Sequence, residues 1–337
     1  MQYTPPAWLP GGHAQTIWPA LFARRQLGSV LPQVRERWIA PDGDFIDVDR
    51  QVASNPQRPL MVLFHGLEGS SQSHYAQSFA DWATDNDVHF ALPHFRGCSG
   101  ELNQGPRAYH SGDHQEIHWV LAKLRLQHQK EGGQTLVAAG ISLGGNALMR
   151  WAAEHGELAL RSADAIASIC APLDLTQSGL AMGQGLNRHI YTRMFLRSMK
   201  PKAMAKLAQH PGLFDPLKLM AAKDLYAFDN VFTAPLHGFK NTDDYWTKAS
   251  AKPLMKNIQL PALAMNARND PFVPSHSLPQ KQDVSQSVTL WQPEHGGHVG
   301  FAQGAWPGHI RGLPDAVGGW LMAAAGKPLH EGRMNDG

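Results

Sequence analysis

Ser142 lies in Gly140-Ile141-Ser142-Leu143-Gly144-Gly145-Asn146, behind the apolar run 135–139 and ahead of an apolar helical pattern at Ala147, Leu148, Trp151 and Ala152. A strand, a tight turn and a helix in that order place a serine on a strained bend that pushes its hydroxyl into a cleft. The glycines two before and two after it are required because a Cβ there would strike the adjoining strand or helix. The helix starting at Leu143 also aims its N-terminal N–H groups and positive dipole end at the same point. Such a serine is suited to attack an acyl carbonyl. A bare G-x-S-x-G also arises as a simple glycine-rich turn, and it is the flanking strand and helix that favour a nucleophile.

Attack on a carbonyl builds negative charge on oxygen, and two N–H donors are needed to hold it. One is the backbone N–H after the nucleophile, that of Leu143; the other belongs on a loop after an earlier strand. His65-Gly66-Leu67-Glu68-Gly69 follows the apolar run 60–64 and fits that place. Its glycines let the backbone approach a substrate closely, so the second donor is assigned to the N–H of Leu67, with Gly66 shaping the loop. His65 is read as a hydrogen-bonded structural residue.

A serine nucleophile also needs a base and an acid to orient it, and after a strand-turn-helix serine these follow in the order acid, then histidine. Asn269-Asp270-Pro271 follows the run 261–265, in a loop braced by Pro271 and Pro274, where Asp270 can hold an imidazole; the same residues also read as a plain Asp-Pro turn. After the run 288–291 comes Glu294-His295-Gly296-Gly297-His298-Val299-Gly300-Phe301. His298 is chosen as the base, because the glycines before it let the loop bend toward Ser142 and Val299 and Phe301 can anchor it. His295 is expected to be a support, and His309 is the third choice. In this scheme His298 takes the proton of Ser142, Asp270 holds the tautomer, an acyl-enzyme forms and water releases the acid, with no cofactor.

The alternatives come from other classes. A thioesterase, amidase or acyltransferase would use the same residues, and a non-catalytic binding module would have no need to keep all three. His110, His114 and His118 at helical spacing suggest a metal hydrolase, although histidines at i, i+4 commonly just line a helix face. The pair His295 and His298 lacks an H-E-x-x-H segment or a cysteine pair to complete a metal site, so no metal is expected.

The elements that must position these residues are readable as short apolar runs at 60–64, 88–92, 135–139, 165–169, 261–265 and 288–291. Between several of them lie helical patterns, clearest at Ile117, Val120, Leu121 and Leu124 behind a candidate N-cap, Asp113. Repeated strand-then-helix order implies a mainly parallel sheet covered on both faces, with chemistry in loops at the strands' carboxyl ends. A turn at Pro41-Asp42-Gly43-Asp44 between residues 37–39 and 45–50 suits an edge hairpin. From 174 to 250 the alternation lapses into a Met- and aromatic-rich helical stretch. The expected layout is an N-terminal arm at 1–30, too interrupted for a long helix, a core at 31–173 and 251–330, and a helical cap at 174–250 inserted in that core. The fold class this implies is α/β, the α/β-hydrolase fold.

Composition narrows the partners. The chain has 337 residues, 43% of them apolar, and no apolar run near the ~20 residues a membrane span requires. Its 30 Lys and Arg and 28 Asp and Glu leave +2, with no run of five or six like charges, so nucleic acid is not expected as a partner. The 18 histidines imply nothing by number alone. Two cysteines, Cys98 and Cys170, make no disulfide framework, and the start lacks a secretion signal, so the cytoplasm is the expected compartment.

Taken together, Ala7-Trp8-Leu9-Pro10-Gly11-Gly12-His13-Ala14-Gln15-Thr16, His65-Gly66-Leu67-Glu68-Gly69, Phe95-Arg96-Gly97-Cys98-Ser99-Gly100-Glu101, Tyr109-His110-Ser111-Gly112, the Ser142 segment, Asn269-Asp270-Pro271 and Gly297-His298-Val299-Gly300-Phe301 resemble the YheT-like esterases along nearly the whole chain. The resemblance implies an α/β-hydrolase with a Ser142, Asp270, His298 triad, acting on small-molecule carboxylic esters of short acyl chains or lipid-like alcohols. Many relatives carry a second Asp where this chain has Asn269, which leaves Asp270 the sole acid candidate. Some larger relatives carry a membrane anchor ahead of the fold; with the start so near Trp8, none is expected here. Arg96, Ser99, Glu101, His110 and Asp113 lie in a loop after a buried strand whose polarity could contact substrate, and they are read first as a structural hydrogen-bond network.

Overall fold

In the segment Leu60–Phe64, Leu60, Val62 and Phe64 join one hydrophobic cluster and Met61 and Leu63 the other, and all five are buried. That is a strand covered on both faces. It belongs to an eight-stranded sheet of β1 (Val34–Ile39), β2 (Phe45–Gln51), β3 (Leu60–Phe64), β4 (His89–Pro93), β5 (Leu136–Ile141), β6 (Ala165–Ile169), β7 (Ala262–Met265) and β8 (Val288–Trp291). The spatial order is β1-β2-β4-β3-β5-β6-β7-β8. The hairpin of β1 and β2 pairs antiparallel and joins β4 antiparallel; from β4 to β8 every pairing is parallel. The computed structural model describes residues 3–28 and 31–327, so residues 1–2 and 29–30 of the expected arm and 328–330 of the expected core lie outside the described residues.

Helices cover both faces. α1 (Gly12–Leu21) precedes the sheet, and α2 (His74–Asp85) packs with the C-terminal helix on one side through Phe79 and Trp82. On the other side α3 (His114–Lys130) and α4 (Leu143–His155) bury Ile117, Leu121, Leu148 and Trp151. The carboxylate of Asp113 caps α3 by accepting the N–H of Glu116 at 3.3 Å.

Between β6 and β7 the chain is helical: α5 (Leu175–Met182), α6 (Gly185–Asn187), a π-helical turn at Arg188–Thr192, α7 (Arg193–Gln209), α8 (Pro216–Ala221), α9 (Leu225–Val231), α10 (Thr233–Leu236) and α11 (Thr242–Ala249). It has a core of its own that includes Leu196, Ala203, Leu219, Phe228 and Phe232. α12 (Gly312–Ala324) closes the fold.

Two features of the arm and of the loop after β4 bear on the site. The proline-rich start forms one short helix, α1, ten residues long with Pro19 inside it. Pro19 has no N–H to give the carbonyl of Gln15. Gly300 of the His298 loop packs against that carbonyl instead, so tightly that a Cβ at residue 300 would overlap it. The loop after β4 is held by ions: Arg96 donates from Nε to Glu116 at 2.7 Å and from Nη1 to Asp42 at 2.8 Å, and Arg107 donates to Asp113 at 2.5 Å.

Register aligns the loops that carry the candidate residues. Phe64 of β3 lies opposite Gly140 of β5, so the loops holding Leu67 and Ser142 leave the sheet side by side. Met265 lies opposite Trp291, so the loops of Asp270 and His298 do the same, joined by Arg268 N–H to Pro293 O at 2.8 Å.

Candidate active site

Ser142 has φ 50° and ψ −117°, in the left-handed half of the map that a residue with a Cβ occupies only under constraint. The constraint is the meeting of β5, β3 and α4. A Cβ on Gly144 would stand 2.5 Å from His65 O and 2.7 Å from Phe64 O, so only glycine lets α4 start this close to β3. Gly66 approaches the serine from the other loop, its notional Cβ 3.2 Å from Ser142 Cβ.

His298 Nε2 is 3.1 Å from Ser142 Oγ, and His298 Nδ1 is 2.8 Å from Asp270 Oδ2. A carboxylate only accepts, so Nδ1 carries the ring proton and Nε2 is left to accept from the serine. The Asp270 side chain is fully buried and its other oxygen accepts the N–H of Phe272 at 2.7 Å. Phe272 in turn stacks on the His298 ring, with centroids 4.0 Å apart. The loop beyond is strained: Val299, a β-branched residue, has φ 57° and Phe301 has φ 47°.

The backbone N–H groups of Leu67 and Leu143 have no acceptor among the described residues, whereas those of Gly66, Glu68 and Ser142 do. The N–H of Gly66 donates to the Tyr75 hydroxyl and that of Glu68 to the Tyr109 hydroxyl, both at 2.9 Å. Two tyrosines thus pin the loop on either side of Leu67. His65 fixes its start. Burial pushes the His65 ring down to about 3, so it is neutral, with Nδ1 donating to Gly66 O at 2.7 Å and Nε2 accepting from Phe95 N at 3.0 Å.

The arm supplies positioning contacts that sequence reasoning did not find. Thr16 Oγ1 accepts the N–H of His298 at 2.8 Å and donates to Gly12 O at 2.7 Å. Gln15 Oε1 accepts from Gly296 N and from Asn269 Nδ2, each at 2.9 Å, while Asn269 Oδ1 accepts from Gly297 N at 3.0 Å. These bonds join residue 269, next to the acid, to residues 296–298 at the base. Gln15 and Thr16 lie more than 250 positions from Asn269, Gly296 and His298 in sequence, and no local pattern signals their contacts.

One expectation is corrected, and two alternatives find other places. His295 is exposed and makes no side-chain hydrogen bond among the described residues, so it does not support the base. Its loop is held instead through backbone groups of Gly296 and Gly297, which leaves that side chain pointing away. His309 joins the fold through backbone pairing with Gln303. His110 packs on the His237 ring at 4.5 Å while His118 stacks on His155 at 4.2 Å, which separates two members of the helical histidine set.

Ser142 and His298 open into a cavity of about 170 Å³ roofed by the inserted helices. Met182, Phe195, Met199, Phe228 and Phe232 give it an apolar lining. Asp229 also lines it, its carboxyl pushed up to about 6 by burial and bonded by Thr233 Oγ1 at 2.6 Å and Trp246 Nε1 at 2.8 Å.

Residues 59–305 match the α/β hydrolase fold family. The chain is therefore an α/β-hydrolase-fold protein, the class that the sheet order and the bend at Ser142 describe. It is 36% identical over 316 residues to the Escherichia coli protein YheT, named as an esterase, across 92% of this chain and 89% of that one. The chain belongs to the YheT-like family of α/β-hydrolases. It is also 26% identical to human phospholipase ABHD3, over 90% of this chain and 75% of that one. The solved esterase Pf2001 of Pyrococcus furiosus superposes with a TM-score of 0.55 at 15% identity, covering 89% of this chain and 98% of that one, a likeness of fold.

Proposed function

We propose that the chain is a serine hydrolase of carboxylic esters, with Ser142 as nucleophile, His298 as base and Asp270 as its orienting acid. The observation that carries this is the unbroken line from Asp270 Oδ2 through His298 to Ser142 Oγ, with steps of 2.8 and 3.1 Å, ending in an apolar cavity. Oγ attacks the ester carbonyl as Nε2 takes its proton, and the imidazolium so formed is stabilised by Asp270. The developing oxyanion is received by the N–H groups of Leu67 and Leu143. The proton passes from Nε2 to the leaving alcohol, and a water activated by the same nitrogen releases the acid.

The apolar lining favours short acyl or lipid-like esters, and relatives named as an esterase and a phospholipase support the same class. In this reading residues 174–250 act as the cap over the site, residues 1–30 as an arm that steadies it, and residues 31–173 with 251–330 as the core. Two free, buried cysteines suit a cytoplasmic protein. Among the described residues no helix is long and apolar enough to cross a membrane.

The test is fluorophosphonate labelling together with a panel of p-nitrophenyl esters and thioesters. Wild type is expected to label and to hydrolyse the esters, and Ser142→Ala to lose the label and about 10⁴-fold or more of the rate. Hydrolysis that survives Ser142→Ala unchanged overturns the reading, and thioester turnover far above ester turnover replaces it with a thioesterase.

A further inference from the structure

Residues 185–223 hold eight Lys or Arg and a single acid, Asp215, in a chain whose total is +2, so the rest of the chain is acidic on balance. No run of like charge marks this in the sequence. Folding gathers it. α6, the π-turn and α7 make one continuous helix from residue 185 to 209, and its outward side exposes Arg188, Arg193 and Arg197. None of the three makes an ion pair among the described residues.

The same helix also exposes large apolar residues. Leu186 is 61% exposed, Ile190 41% and Met194 56%. α8 lies alongside, tied on by Lys200 Nζ donating to Met220 O at 2.7 Å and Ala222 O at 2.6 Å, and it adds Leu217, 81% exposed, and Met220. Lone exposed apolar side chains are ordinary, but five on two adjoining helices interleaved with unpaired cations form a surface. A nucleic-acid backbone would pair with the arginines and leave Leu, Ile and Met in water. A layer of anionic headgroups over acyl chains satisfies both kinds of side chain at once.

We infer that this face of the inserted helices docks on an anionic lipid surface. The inward side of the same helix, with Phe195, Met199 and Ala203, lines the cavity that holds Ser142. Docking therefore brings the cavity to within about one helix diameter, roughly 10 Å, of the lipid. The inference deepens the ester-hydrolase reading and rests on it for its consequence, that esters are drawn from a lipid surface; the docking itself requires no turnover.

The experiment is co-sedimentation of the full chain with phosphatidylglycerol vesicles and with phosphatidylcholine vesicles, at low and high salt. Wild type and Ser142→Ala are expected to bind the anionic vesicles alike, to ignore the neutral ones and to be released by salt. Combined Arg188→Glu, Arg193→Glu and Arg197→Glu is expected to lower the affinity on the order of 100-fold. Combined Leu186→Ser, Ile190→Ser and Met194→Ser is expected to lower it as well, and both variants to keep hydrolysis of a water-soluble ester. The salt series on wild type needs no variant to fold. No binding, or equal and salt-insensitive binding to both vesicles, overturns the inference. A wild-type dimer in ultracentrifugation that these substitutions dissociate, without vesicle binding, also overturns it and makes the face an interface between copies. Vesicle binding by a protein that hydrolyses nothing spares the docking and sinks the hydrolase reading alone.

Discussion

Gln15 is 1% exposed, and its one carbonyl oxygen serves two donors from two different loops. Replacing it by Leu leaves the Gly296 N–H buried without an acceptor, at about 1–3 kcal/mol, and releases the half-buried Asn269 Nδ2. The loops they belong to carry His298 and Asp270, so the loss falls on the geometry of the pair. Gln15→Leu is expected to lower Tm and to reduce kcat about 10- to 100-fold with KM little changed. Thr16→Val is expected to do the same by removing the acceptor of His298 N–H, and Thr16→Ser to restore it. A lowered Tm with kcat intact would make both residues purely structural. The candidate site is legible at this scale where a motif is local: flanking runs and chain order single out Ser142, Asp270 and His298, and the three stand within hydrogen-bonding distance. Gln15, Thr16, Tyr75 and Tyr109 act across the fold, and their own neighbours in sequence carry no sign of it.

At the level of elements, a tight joint beside the nucleophile is the crossing of α4 over the end of β3. Gly144→Ala places a methyl 2.5 Å from His65 O and 2.7 Å from Phe64 O, backbone atoms that have nowhere to move. Overpacking of this kind costs about 1–3 kcal/mol or more, and here it also shifts Ser142. The variant is expected to lose fluorophosphonate labelling along with stability. Gly319 in α12 is the contrast, because a Cβ there meets nothing within 4 Å. Gly319→Ala is expected to raise stability by about 0.5–1 kcal/mol, read as a higher Tm with unchanged labelling. The parallel strands are legible because burial on both faces makes each a continuous apolar run, as at 60–64. α1 is not, since Pro19 argues against a helix until the packing of Gly300 on the Gln15 carbonyl is known. The π-turn at Arg188–Thr192 leaves no composition signal either, because the extra residue per turn is absorbed by tertiary contacts such as Asn187 Nδ2 to Pro271 O at 2.6 Å.

The whole molecule answers what the histidine count could not. Burial pushes His65 and His110 down to about 3 and His74 and His128 down to about 4, so all four are neutral in the folded chain at neutral pH. Unfolded, each titrates near 6.5, so between that value and its folded value the unfolded chain binds more protons. Their contribution is full above about pH 6.5 and is lost as pH falls toward 4, at roughly 1.4 kcal/mol for each tenfold by which burial weakens a ring's hold on its proton. Two buried carboxyls oppose this. Asp229, raised to about 6, and Glu116, raised by its burial beside Asp113, bind protons more readily when folded and stabilise the acid side. Four rings that fall from 6.5 to about 3 or 4 outweigh two acids, each of which rises no further than a single ring falls. The salt-bridged carboxyls of Asp42, Asp44, Asp47 and Asp49, held below their usual range, join the loss only below about pH 4. Tm is therefore expected to hold steady from pH 8 to 7 and to fall steeply between pH 6 and 4.5, with unfolding accompanied by uptake of several protons. A Tm that stays level from pH 7 to 5 would mean that these rings are hydrated in solution, and the packing around His65 that fixes the Leu67 loop would then be wrong as well.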